Sequence, residues 1–365
     1  MVNYKALTSI TVVLLNVEYH LRTKSDMTIP HSLDEFKEML SKAFNRYDPD
    51  IFNNIALKAY LIESNLDIPP QVDGYTPWNN IGGTWHVCNN TDNYLVLNKG
   101  SGRIWTIFTL QSVNSSDDVI ENWTKKTGLD RCWFSGDYLS KFGRSHSWIE
   151  RGLGLKYNNS LAPGDEGMRF SMKAWHGTDM DSDLSKLFEL AKKKFTTTSI
   201  RWKSLRDDNL NMSSEWYNNG KITIQYAESV NELLGCISDL TMSYKKSLLW
   251  AEKCRNDNRS SFEFTFEREI SLDDYSDALL SGKNSLKLWM IETDNRGDYR
   301  SYSGIDLHTG DRILLDMGKD YAYMSIPGNG CVNATPRFVA INGENALGRV
   351  KAYYEGCEIF DGSQI

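Results

Sequence analysis

Two stretches of the chain carry apolar residues at helical spacing. Phe36, Met39, Leu40, Ala43 and Phe44 recur at i, i+3, i+4, i+7 and i+8, and Leu233, Leu234, Ile237, Leu240, Thr241, Tyr244 and Leu248 trace a longer stripe of the same kind. That period predicts two helices, each with one face on a core. Elsewhere the period is two. Met168, Phe170, Met172 and Ala174 alternate with Arg169, Ser171 and Lys173, and Phe262, Phe264 and Phe266 alternate with Glu263, Thr265 and Glu267. Both read as strands with one face wet or covered by polar groups.

The two periods meet in a recurring grammar: an extended apolar stretch, a serine followed three residues later by an acid, then a helical pattern. It occurs in "MTIPHSLDEFKEML", "WTIFTLQSVNSSDDVIENW", "ITIQYAESVNELLGCI" and "FEFTFEREISLDDYSDALL". Ser32, Ser115, Ser229 and Ser271 are placed to cap the amide three positions on, with Glu35, Asp118, Glu232 and Asp274 reaching back. The spacing between these caps is too irregular for a solenoid and implies strand–helix–strand units. From Gly304 to Phe360 the pattern changes to short stretches, "RILLDM", "YAYMSI", "RFVAI" and "RVKAYY", separated by Gly, Pro and Asn, which read as an antiparallel meander. The expected class is α+β, with mixed sheets built from strand–capped helix–strand units and a C-terminal antiparallel β meander. Residues 66–83, rich in Pro and Gly, and the polar cluster at 253–261 suggest three regions: 1–70, 84–255 and 256–365.

At 365 residues, with 40% hydrophobic and 12% aromatic positions, the chain can bury a sizeable core. Its formal net charge of −7 argues against coating nucleic acid by overall charge but leaves room for a local basic face. One stretch qualifies. "KKKFTTTSIRWKSLR" holds Lys192, Lys193, Lys194, Arg201, Lys203 and Arg206 with no acid among them. The lysines fall in the last turn of a helix that carries Leu184, Leu187, Phe188 and Ala191, where cations complement the dipole. The second half reads as a strand with Ser199, Arg201 and Lys203 on one face and Thr198, Ile200 and Trp202 on the other, so Trp202 is expected in the core.

The chemistry-bearing residues are sparse. The cysteines, Cys88, Cys132, Cys236, Cys254, Cys331 and Cys357, are scattered without zinc spacing, and free thiols in a reducing cytoplasm are expected. Cys331 in "IPGNGCVNATPRF" and His308 in "GIDLHTGD", oriented by Asp306 or Asp316, form the best nucleophile–base constellation, set against a simple hairpin turn at "PGNG". His86 and Cys88 share a strand face but lack further ligands. His176, Asp179, Asp181 and Asp183 offer a hard-cation cluster, but Asp181 and Asp183 precede the helix of Leu184 and read as its N-terminal acids. There is no phosphate-binding glycine loop, no RNP motif, no signal-peptide cleavage pattern and no apolar run long enough to span a membrane. No cofactor and no metal are expected. The leading expectation is a cytoplasmic protein that contacts a phosphate backbone, nucleic acid first, through residues 192–206 as part of a larger assembly. The alternatives are a Cys/His hydrolase on the C-terminal meander and a protein-interaction scaffold.

Overall fold

Eight consecutive buried residues make β1 (Leu57–Ser64) the middle of a large sheet. Leu57, Ala59 and Leu61 face one core, while Tyr60 and Ile62 face another on the opposite side. A strand covered on both faces shows no alternation in sequence. The computed structural model describes residues 29–45, 56–100, 102–158, 161, 169–175, 186, 188–192, 195–258, 260–281, 285–344 and 349–363.

Beside β1 in this sheet lie β2 (Asn79–Gly82), β3 (Trp85–Asn89), β4 (Tyr94–Asn98), β5 (Ile104–Thr109), β6 (Leu129–Arg131), β7 (Ile149–Asn158), β8 (Arg169–Trp175), β9 (Thr196–Arg206), β10 (Asn209–Tyr217) and β11 (Lys221–Ala227). The order is β2-β3-β4-β5-β1-β11-β10-β9-β7-β8, with β6 paired to β1. The second sheet joins β12 (Phe262–Phe266), β13 (Leu288–Asn295), β14 (Arg300–Asp306), β15 (Arg312–Met317), β16 (Tyr321–Ser325), β17 (Val350–Tyr354) and β18 (Cys357–Ile359) in the order β13-β14-β15-β16-β12-β17-β18. The ladders in both sheets are antiparallel. The molecule is α+β, and its C-terminal part is an antiparallel sheet.

The described helices are α1 (Leu33–Phe44), α2 (Val113–Thr124), α3 (Gly136–Ser145), α4 (Val230–Asn258), α5 (Leu272–Leu280) and α6 (Ala334–Asn342). The serine caps explain where three of them start. Ser32, Ser229 and Ser271 accept from the amides of Glu35, Glu232 and Asp274 at 3.1, 3.3 and 3.3 Å. Ser115 instead sits inside the first turn of α2, whose N-cap is Ser112. The unit around Ser271 is present as β12, α5 and β13, but three strands separate β12 from β13 in their sheet.

One local expectation is corrected. "RFVAI" is not a strand but the body of α6, whose nine residues are all buried. Burial on every side removes helical amphipathicity, so a short apolar run looks like a strand. Pro336 fits because it stands in the first turn, where its missing amide hydrogen has no partner to lose. The Phe338 ring packs 4.5 Å from Phe264, tying α6 to β12. The core formed by Leu57, Ala59, Phe108, Ile200, Trp202, Leu240 and Tyr244 continues through Phe264, Leu315 and Phe338, and so runs from the large sheet into the small one. On the opposite face of the large sheet, Trp105, Ile120 and Trp123 make a second, smaller core around β1.

Candidate functional site

The basic stretch divides in the structure. Lys192 is held by Glu150 at 2.9 Å and Glu189 at 3.2 Å, and Arg206 pairs with Glu232 at 2.7 Å. Lys193 and Lys194 lie outside the described residues. Arg201 and Lys203 remain, on the face of β9 opposite Trp202, which is 1% exposed as the period predicts. A third cation joins them from β7. Gly152 pairs with Arg201 and Ile149 with Lys203, and a bulge between Glu150 and Gly152 places Arg151 beside both. Arg151 is 7% exposed, and its Nε has no hydrogen-bond partner. Among the described residues no acid pairs with any of the three. Glu215, across from Arg201 on β10, is engaged by Lys173 at 2.9 Å and by Ser199 at 2.7 Å. Burial and repulsion from Arg151 and Arg201 push the Lys203 amine below its usual value.

An aromatic completes this surface. Trp175 pairs with Gly152 at the edge of the sheet and is exposed. A Cβ on Gly152 would come within 2.7 Å of the Trp175 ring and 3.4 Å of Arg201 Cβ, so the glycine leaves ring and guanidinium stem side by side.

Further along the same face, Lys58 is buried with its amine on the Gln111 carbonyl oxygen. Burial and the charge of Lys221 push it down to about 8, against a smaller opposing pull from Asp117. The folded state therefore binds fewer protons than the unfolded one above pH 8, and stability rises with pH there. We expect a gain on the order of 2 kcal/mol between pH 8 and 9.5. Urea unfolding at the two pH values measures it, and Lys58→Met removes most of it.

The Cys331–His308 constellation lies where β1, β5, β6, β14, α4 and α6 meet. Sequence separation hid its third member. Glu63, next to the last residue of β1, is fully buried, with Oε2 3.0 Å from His308 Nε2. Cys331 Sγ donates to Glu63 Oε1 at 3.4 Å. Arg103, just before β5, donates from Nε to the same Oε1 at 2.8 Å and from Nη1 to Glu252 of α4 at 2.7 Å, with Nη2 3.5 Å from the sulfur. Asp306 lies nearby but does not hold the imidazole: its Oδ1 accepts from the His308 amide at 3.0 Å and from Arg337 Nη2 at 2.6 Å. The carboxylate thus stands between thiol and imidazole. Burial, then the Glu63 charge, raises the Cys331 thiol far above its usual value against a smaller opposite pull from Arg103. Asp316, the other orienting candidate, receives the Ser301 hydroxyl on β14 instead.

Behind this group is an ion network that joins the two sheets. Arg337 of α6 bridges Asp130 of β6 and Asp306 of β14, all three 1% exposed. Asn333 donates to Asp130 at 2.8 Å and accepts from Tyr244 at 2.5 Å. Burial pushes the Asp130 carboxyl up, but the charges of Arg337 and then Lys287 lead the opposing pull and hold it well below the usual carboxylate range. A cleft of about 470 Å³ opens over Cys331, lined by Ser64, Arg103, Glu252 and Asp311.

The other candidates part company. Cys88 is buried and His86 has its Nδ1 3.2 Å from the Thr84 carbonyl oxygen. Among the described residues, the one cluster of three metal-type donors is Glu63, His308 and Cys331. His176, Asp179, Asp181 and Asp183 lie outside the described residues. All six cysteines are free thiols, and no described helix is long and apolar enough to cross a membrane.

These features define an α+β protein of two antiparallel sheets, with a polar cluster at their junction and a basic patch on an outer face. The chain belongs to the family described as MJECL33-like protein, whose model matches residues 31–342. A relative named "Uncharacterized protein MJECL33", from Methanocaldococcus jannaschii, is 22% identical over 300 residues, covering 68% of this chain and 73% of the relative. The matched span contains every junction residue described above, along with Arg151, Arg201, Lys203 and Trp175.

Proposed function

We propose that the outer face of the large sheet binds single-stranded nucleic acid. The observation that carries this reading is the convergence of Arg151, Arg201 and Lys203, without acid partners among the described residues, beside the exposed Trp175. Unspecific single-strand binders combine cations that follow the phosphates with an aromatic face on which a base stacks. A protein of net charge −7 gains nothing from its overall field, so a concentrated patch has to supply the attraction. Membership of a larger assembly is the finer part of the reading. It is favoured by an apolar pair left in solvent on edge strand β13 and its neighbour, Trp289 opposite Ile305.

Fluorescence anisotropy with a labelled single-stranded oligonucleotide tests this. Arg201→Ala combined with Lys203→Ala should weaken binding, and Trp175→Ala should cost about 1–3 kcal/mol. Absence of binding at low salt, or variants that bind like the parent, would reject the proposal.

The Cys/His hydrolase reading has the residues together but meets an unactivated thiol. Its hydrogen bond goes to Glu63, and a thiolate there would face a carboxylate.

A further inference from the structure

We infer that Glu63, His308 and Cys331 form a binding site for a zinc-like divalent cation, with its open position toward the cleft above Cys331. The three donor atoms all lie within 4.8 Å of one another. Glu63 Oε2 and His308 Nε2 are 3.0 Å apart, and Glu63 Oε1 and Cys331 Sγ are 3.4 Å apart. Bonds of about 2.0–2.3 Å to a tetrahedral ion put neighbouring ligand atoms roughly 3.3–3.7 Å from one another, so small adjustments would seat the ion.

The orphaned atoms favour a cation over a plain hydrogen bond. Glu63 Oε2 and His308 Nε2, although 3.0 Å apart, do not align as donor and acceptor, and both are buried without a hydrogen-bond partner. Two buried polar atoms that converge without bonding suit a shared third centre. The donor set selects among metals: a thiolate and an imidazole with a carboxylate suit zinc or cobalt, whereas calcium and magnesium require oxygen ligands.

Arg103 does not exclude the ion. Its charge is divided between Glu63 and Glu252, and Nη2, 3.5 Å from the sulfur, is placed to steady a metal-bound thiolate by a hydrogen bond. Charge balances on binding: the divalent ion displaces the Cys331 proton to solvent and meets one thiolate, one carboxylate and a neutral imidazole. The cleft lined by Ser64, Glu252 and Asp311 gives access for a water or a substrate oxygen to the fourth position.

The test uses the full chain and cobalt(II) as the probe. Stoichiometric cobalt should produce a near-ultraviolet thiolate-to-cobalt charge-transfer band that zinc abolishes by competition. Cys331→Ser should remove the band, and Cys357→Ser, at an exposed cysteine, should leave it. If Cys331→Ser does not fold, His308→Gln takes its place. Loss of a ligand should weaken zinc, measured against a chromophoric chelator, by at least the roughly 10–100-fold typical of losing a group that only hydrogen-bonds to a ligand. A parent chain that takes up neither zinc nor cobalt, or a band that survives Cys331→Ser, overturns the inference.

Discussion

Replacing Arg337 with Met is expected to destabilise the protein by about 3–5 kcal/mol, the cost of leaving a buried charge without its partner. Arg337 is 1% exposed and bridges two equally buried carboxylates, Asp130 and Asp306. Neither acid can reach water, and Lys287, 3.4 Å from Asp130, compensates only one of them. The urea midpoint should fall with little change in slope, since the same surface is exposed on unfolding. A second chain, combining Arg337→Met with Asp130→Asn and Asp306→Asn, should recover part of the loss, because the neutral amides no longer demand a counter-charge. If Arg337→Met alone costs no more than about 0.5 kcal/mol, as a surface substitution does, the network does not join the two sheets in the way described.

Trp202→Ala should cost a similar amount, about 3–5 kcal/mol, for a different reason. The indole is 1% exposed, stands 6.3 Å from the Trp148 ring and lies directly over Gly143. A Cβ on Gly143 would come within 2.4 Å of Trp202 Cζ2, so α3 approaches β9 only because that position has no side chain. Removing the indole leaves a cavity between them that helix and strand cannot close without shifting. Urea unfolding measures the loss, and circular dichroism should show the fold retained. A change below 1 kcal/mol would contradict the register that puts Trp202 in the core and Arg201 on the outer face.

Local features were legible in the sequence, and long-range ones were not. Ser32, Ser229 and Ser271 could be read because a cap involves residues three positions apart. The alternation of β9 placed Trp202 and Arg201 on opposite faces for the same reason. Cys331 and His308 were paired by residue type, but Glu63 was hidden 245 positions before His308 in the run "LKAYLIES". A lone acid at the end of an apolar strand is itself a signal, since such a group is buried only with a partner. Arg337 in "RFVAI", paired with Asp130 and Asp306, carries the same signal. The identity of α6 escaped because complete burial erases the helical period.

The central claim is that phosphates are met by Arg151, Arg201 and Lys203, and the salt dependence of binding tests it most directly. Counterion release makes log affinity fall with log salt by about 0.7 per phosphate contact on a single strand. Titrations of an oligonucleotide at several salt concentrations should give a slope shallower by roughly 1.4 when Arg201 and Lys203 are both replaced by Ala. Trp175→Ala should lower the affinity and leave the slope alone, because stacking releases no counterions. An unchanged slope in the double variant would contradict the account.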